Sequence, residues 1–325
     1  MGRNEMAKKL ALAAWFAAGL AIVPGAAFAE YPERSIEMIV AFSPGGGTDV
    51  AARSIQPYIE EALGAEIIVR NVPGAGGEVG FTELAAAEPD GYTIGFINVP
   101  AIFAYSYERE TRYSRDSFAP IANLVYDPGI FAVRADSEFD TLQDLIDYGA
   151  ENPGALPIGT SGSTGSSEHL AILNFQRLTG ASYNHAPFGS TAPLRTALLG
   201  GHIPVAAFNL SEAVQFEEAG DLRILGVMAS DRNRLAPDVP TFAEQGVDLV
   251  AGSSRGIAAP AGVPQDILDM LSVAIGEAMA AGDYVANAES ANIPLDYMDA
   301  AEFGAFLDDT DSALAEIWEN TPWVE

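Results

Sequence analysis

The chain has 325 residues, 49% hydrophobic and 19% charged, which suits a large buried core and excludes a disordered chain. Its 45 acids against 16 bases give a formal charge of −29, a field that repels phosphate backbones and excludes nucleic-acid binding. There is no cysteine, so disulfides, thiol nucleophiles, iron–sulfur clusters and cysteine zinc sites are excluded together. At roughly 150 residues per domain, the length predicts two domains.

The first element is an address. Arg3, Lys8 and Lys9 precede an apolar run from Leu10 to Val23, and Pro24-Gly25 and Ala27-Phe28-Ala29 follow. This is the pattern of a secretory signal peptide over residues 1–29, too short for a membrane span and with no cysteine for lipid attachment. A periplasmic mature protein starting near Glu30 is expected. Both lysines fall in this segment, so arginine is the only fixed cation beyond it, 13 arginines against 44 acids. A phosphate-loop lysine and a pyridoxal Schiff base are thereby excluded.

Beyond the signal, strands and helices alternate. Ser35–Phe42 reads as a strand, Thr48–Leu63 as a helix kinked at Pro57, Glu66–Arg70 as a strand, Glu78–Ala87 as a helix and Tyr92–Ile97 as a strand. The alternation continues through Leu142–Glu151, Leu156–Thr160, Ser167–Leu178, Ala192–Leu199, Ile203–Phe208 and Leu222–Met228. Helices are expected at Pro264–Ala281 and Ala300–Glu319. The rhythm predicts an α/β protein on largely parallel sheets. Turn clusters at Asp127-Pro128-Gly129 and Ala259-Pro260-Ala261-Gly262 suggest that the chain leaves a first lobe near 128 and returns near 252. The expected lobes are 30–128 with 252–325, and 129–251, with two chain crossings forming a hinge beneath a cleft.

Two loops carry the candidate chemistry. Phe42-Ser43-Pro44-Gly45-Gly46-Gly47-Thr48-Asp49 follows a strand and opens a helix, so glycine backbone and free helix-start N–H groups form an anion site without lysine. It fails as a dinucleotide fingerprint, because Val50 stands where the last glycine belongs. Asp49 reads equally well as a ligand contact or as a first-turn acid that complements the helix dipole. Thr160-Ser161-Gly162-Ser163-Thr164-Gly165-Ser166-Ser167-Glu168-His169 is a second strand-to-helix loop, rich in hydroxyls that suit a carboxylate or phosphate; in the plainer reading Ser166 simply caps the helix. No nucleophile elbow exists, and His169, His185 and His202 lack metal-ligand spacing. Neither a catalytic residue, a cofactor nor a metal is expected.

Several motifs resemble the solute-binding proteins of tripartite tricarboxylate transporters, the Bug family. They are Ile39–Asp49 (IVAFSPGGGTD), Asn71-Val72-Pro73-Gly74-Ala75-Gly76-Gly77, Pro89-Asp90-Gly91-Tyr92-Thr93, Gly165-Ser166 with His169-Leu170, Leu198-Leu199-Gly200-Gly201, and Ala259–Pro264 (APAGVP). The resemblance implies a two-lobed periplasmic binding protein of type II, a clamshell that closes on a small organic acid and passes it to membrane permease subunits without catalysis. It places Phe42, Ser43, Gly46, Gly47 and Asp49, and then Ser163, Thr164, Gly165 and Ser166, at the ligand, with Asn98 and Asn209 at adjoining strand ends. Ser163 sits where glycine is common in the family, Gly189 where lysine is frequent, and Ser254-Arg255 where an aromatic pair is usual. Arg255 is expected to meet the distal carboxylate of a dicarboxylate. A monomer is expected. A secreted α/β hydrolase and a ligand sensor are the alternatives.

Overall fold

A computed structural model describes residues 31–320 and 322–323; the expected signal peptide at 1–29 lies outside the described residues. No helix among them is long and apolar enough to cross a membrane. Strand β1 (Ile36–Val40) leads through helix α1 (Gly47–Leu63) to β2 (Ile67–Asn71), and helix α2 (Glu78–Ala85) leads on to β3 (Thr93–Val99). β1 pairs in parallel with both β2 and β3. α1 buries Ala51, Ala52, Ile55 and Ile59, a helical stripe, and runs through Pro57 as one element. It stops at Gly64, whose φ of 66° lies in the left-handed region that glycine supplies at a helix end.

After helix α3 (Ala101–Glu108) comes the 17-residue strand β4 (Phe118–Arg134). From Phe118 to Pro128 it pairs antiparallel with β9 (Gly252–Pro260), which on its other side pairs antiparallel with β3. From Gly129 onward β4 pairs antiparallel with β7 (Val205–Asn209), and from Ile130 also with β8 (Leu222–Val227). Between β4 and β7 come helix α4 (Leu142–Glu151), β5 (Pro157–Thr160), helix α5 (Ser167–Thr179), β6 (Asn184–Pro187) and helix α6 (Thr191–Leu199). β5 pairs in parallel with β6 and β7. A short turn of 3-10 helix, Leu210–Glu212, and helix α7 (Val214–Glu218) join β7 to β8. Helices α8 (Gln265–Ala280) and α9 (Gly282–Ser290), strand β10 (Leu295–Met298) and helix α10 (Ala300–Asn320) follow β9.

The sheet is ten-stranded and mixed, in the order β2-β1-β3-β9-β4-β7-β5-β6, with β8 and β10 also on β4. This corrects the expectation of a largely parallel sheet: the parallel strands lie on either side of two long antiparallel ones. The expected turn at Asp127-Pro128-Gly129 is also corrected, because all three residues lie inside β4. Pro128 is the last β4 residue in register with β9, where the ladder changes partner and a missing N–H is tolerated.

β4 alternates its side chains between two cores. Phe131 and Val133 enter a cluster with Phe175 and Phe242, packed edge to face at centroid separations of 5.1 and 5.4 Å from Phe131. Ile130 and Ala132 enter another with Leu194, Phe208 and Val227. A third core joins Ile39, Phe81, Ile97, Phe103 and Phe303 around β1, β3 and α10. Each fully buried phenylalanine contributes about 1.5–3 kcal/mol relative to exposure, so these clusters fix the sheet that carries the site.

Candidate ligand-binding site

The glycine loop between β1 and α1 is held from behind by an acid. Asp49 is buried; its Oδ2 accepts from Gly45 N at 2.9 Å, and its Oδ1 from Arg53 Nε at 2.9 Å and Asn71 Nδ2 at 2.8 Å. Asn71 Nδ2 also donates to Phe42 O at 3.0 Å, and Ser43 O accepts from Gly46 N. Asp49 therefore sets the loop's shape, while Gly46, Gly47 and Thr48 face forward. The first N–H groups of α1 have no carbonyl one turn behind them and carry the positive end of the helix dipole.

The second loop, between β5 and α5, presents another helix start. Ser166 is the N-cap, its Oγ accepting from His169 N at 3.2 Å. Ser161 Oγ donates to Glu168 Oε1, and Ser167 Oγ to Glu168 Oε2 at 3.3 Å. Behind the loop His169 and His185 stack with centroids 4.1 Å apart. His169 Nδ1 accepts from Gly165 N at 3.0 Å, and His185 Nε2 lies 2.7 Å from Thr160 Oγ1, whose proton goes to Gly162 O. Burial lowers the His169 pKa to about 3, with a smaller push from its neighbour, and that of His185 to about 4. Both rings are neutral props at neutral pH.

The two helix starts open on one cavity of about 40 Å³. Of the residues expected at the ligand, Phe42, Gly46, Gly47, Asn98, Ser166, Asn209 and Arg255 line it. Ser43, Asp49, Ser163, Thr164 and Gly165 do not. Ser163 instead meets the loop that follows β2: Tyr105 Oη donates to Gly76 O at 2.9 Å, and a Cβ added at Gly76 would strike both Ser163 and Tyr105.

Thr191 and Glu212 also line the cavity and were not anticipated, and so does Glu168, which belongs to the second candidate loop but was not singled out as a ligand contact. Glu212 had a legible signal. It follows Asn209 by three residues, the spacing of a capping box, and its Oε2 accepts from Asn209 N at 3.3 Å. Its Oε1 accepts from Thr191 Oγ1 at 3.0 Å, Gly47 N at 3.4 Å and Arg255 Nη2 at 3.4 Å. Burial pushes the Glu212 carboxyl up, against the pull of Arg255.

Arg255, on β9 opposite Asn98 of β3, is 2% exposed. Its Nη1 donates to Asp127 Oδ2 at 2.7 Å, and Asp127 is further held by Ser211 N at 3.1 Å. In the amide orientation that satisfies both neighbours, Asn209 accepts from Arg255 Nη2 at 3.2 Å and donates to Asp127 O at 3.3 Å. Burial works against the guanidinium's charge, but Asp127 and Glu212 outweigh it and raise its pKa further. Where a bond to a distal ligand carboxylate was expected, the structure puts both terminal nitrogens of Arg255 on the chain's own acids. A second cavity of about 250 Å³ lies beyond Glu212 and Arg255, where Arg195 stacks 4.7 Å from the Phe216 centroid.

A mixed sheet with parallel strands on either side of two long crossing strands, and a polar cavity under two helix starts, is the architecture of a two-lobed, type II periplasmic solute-binding protein. The chain belongs to the tripartite tricarboxylate transporter family of receptors, whose family model matches residues 51–321. It is 32% identical over 279 residues to BugT of Bordetella pertussis, covering 85% of each chain. Among solved structures it is similar to MatC of Rhodopseudomonas palustris with bound malate, at TM-score 0.80 and 26% identity over 88% of this chain and 99% of that one. It is also similar to Rpa4515 of R. palustris with adipate, at TM-score 0.83 and 25% identity over 89% of this chain and 98% of that one.

Proposed function

We propose that the chain captures a small organic acid in the cavity shared by the two helix starts and hands it to the membrane subunits of a tripartite permease. The observation that carries this reading is convergence: Gly46–Thr48 at the start of α1 and Ser166–Glu168 at the start of α5 come from distant parts of the sequence and line one cavity. Helix-start amides bind carboxylates, and each charge-assisted hydrogen bond contributes roughly 1.5–3 kcal/mol. Two of the related solved structures hold small organic acids, malate and adipate.

Capture needs motion. The cavity of about 40 Å³ holds only a few water molecules, so an organic acid enters when the halves part. We take residues 30–128 with 252–325 as one lobe and 129–251 as the other. The chain crosses at Gly129, whose N donates to Ala251 O at 2.8 Å, and the hydrogen bond from Gly47 N to Glu212 is a contact across the closing faces. The protein acts in this reading as a monomeric, non-catalytic periplasmic receptor, exported by residues 1–29.

A thermal-shift screen of organic acids, including malate and adipate, tests the proposal. A ligand at 100 times its Kd adds about 2.7 kcal/mol to stability. A melting shift with at least one acid and no turnover is expected; no shift across the panel, or hydrolysis of an ester or amide, contradicts it.

A further inference from the structure

We infer that the cavity selects acids that also carry a cationic nitrogen, amino acids or related zwitterions, over plain carboxylates of the same skeleton. The inference rests on the carboxylate-binding reading above and specifies its ligand.

The argument begins with charge. Arg255 is the one guanidinium among the residues that line the cavity; its two terminal nitrogens are committed to Asp127 and Glu212, and its buried Nε, without a hydrogen-bond partner among the described residues, is left as a single donor for a ligand carboxylate. Glu168 and Glu212 both line the cavity, and Asp127 stands directly behind Arg255. Three carboxylates against one guanidinium give this cluster a formal charge of −2. If Glu212 keeps its proton in this buried place, the cluster still carries −1. A plain dicarboxylate adds two more negative charges to a site largely shut off from water, where like charges repel strongly.

Both helix starts, moreover, already hold a carboxylate of the chain. Glu212 accepts from Gly47 N at the start of α1. Glu168 sits in the first turn of α5, bonded by Ser161 and Ser167. The positive ends of the two dipoles are thus partly neutralised before any ligand arrives.

A separate observation shows what the cavity lacks. Asn98 lines it and is 7% exposed; its Nδ2 donates to Thr48 Oγ1 at 2.9 Å, while its Oδ1 has no hydrogen-bond partner among the described residues. A buried acceptor without a donor is costly, and a ligand N–H supplies one. Asn98 Oδ1, Glu168 and Glu212 are all acceptors facing one small space. An ammonium offers three donors and a compensating charge. The ligand's carboxylate then takes the remaining first-turn amides.

Calorimetry on matched pairs of acids tests this: three- to six-carbon amino acids against their deaminated acids, ω-amino acids against the dicarboxylates of equal length, and the corresponding simple amines. The amino acid of each binding pair is expected to bind at least tenfold more tightly than its plain partner. Glu168→Gln should narrow that gap at least fivefold, with Glu212→Gln as the second variant and circular dichroism to confirm folding. A plain carboxylate that ties or wins overturns the inference and leaves the carboxylate receptor standing. Binding of the simple amines alone overturns the receptor reading as well; binding of no compound in the series overturns the inference, and the wider organic-acid screen then decides the receptor reading.

Discussion

Lowering the pH should loosen the second loop from behind. In the unfolded chain His169 titrates near its ordinary value of 6.5; in the folded protein burial holds it at about 3. Below pH 6.5 the unfolded state therefore binds a proton that the native state refuses, and stability falls as the pH drops. The stability from the neutral ring is complete above pH 6.5 and is lost progressively down to about pH 3. At 1.36 kcal/mol per pH unit, acidification to about pH 5 costs about 2 kcal/mol through this one ring. His185 acts in the same direction, but its partial exposure makes its share smaller. The abundant carboxylates also titrate in this range, so the measurement is a difference. Urea unfolding of the wild type and of His169→Asn, at about pH 7 and about pH 5, isolates the ring, because the Asn oxygen is placed to accept from Gly165 N without titrating. The wild type should lose about 2 kcal/mol more than the variant between the two pH values. A difference that stays flat would refute the assignment of His169 as a buried neutral prop.

Three further substitutions probe the site's supports. Arg255→Ala leaves Asp127 and Glu212 buried without their cation and should cost about 3–5 kcal/mol in urea unfolding, because breaking a buried pair strands its partners; a loss below about 1 kcal/mol counts against the pairing. Asp49→Ala removes the acceptor for Gly45 N and Asn71 and should cost about 1–3 kcal/mol while weakening acid binding, seen by calorimetry; an unchanged affinity would mean that the loop keeps its shape unaided. Gly76→Ala forces an alanine to a φ of 71°, with its Cβ 2.6 Å from Tyr105 Oη, and should lower stability by at least about 1–2 kcal/mol; a neutral result would contradict the close approach of the loop after β2 to Tyr105.

The local signals in the sequence were strong where periodicity and caps agree. Leu142–Glu151 forms the helix its pattern predicts, with Thr141 and Asp144 as a capping box. The glycine loop and the hydroxyl loop stand where strand-to-helix transitions were expected. What one sequence hides is pairing at long range. The Asp127-Pro128-Gly129 cluster made β4 look interrupted, yet β9, more than a hundred residues away, pairs with it up to Pro128, and β7 takes over at Gly129. For the same reason Arg255 read as a spare cation: its acids, Asp127 and Glu212, are neighbours only through the sheet and the turn after β7. Asp49 and Ser163 belong to motifs at the site but face away from the cavity, because a loop's composition does not say which of its side chains point inward.

The most direct measurement is a crystal structure with the organic acid that most stabilises the protein. The account predicts a carboxylate within about 3 Å of first-turn N–H groups of both α1 and α5. A carboxylate in the cavity beside Arg195, with neither helix start in contact, would contradict it.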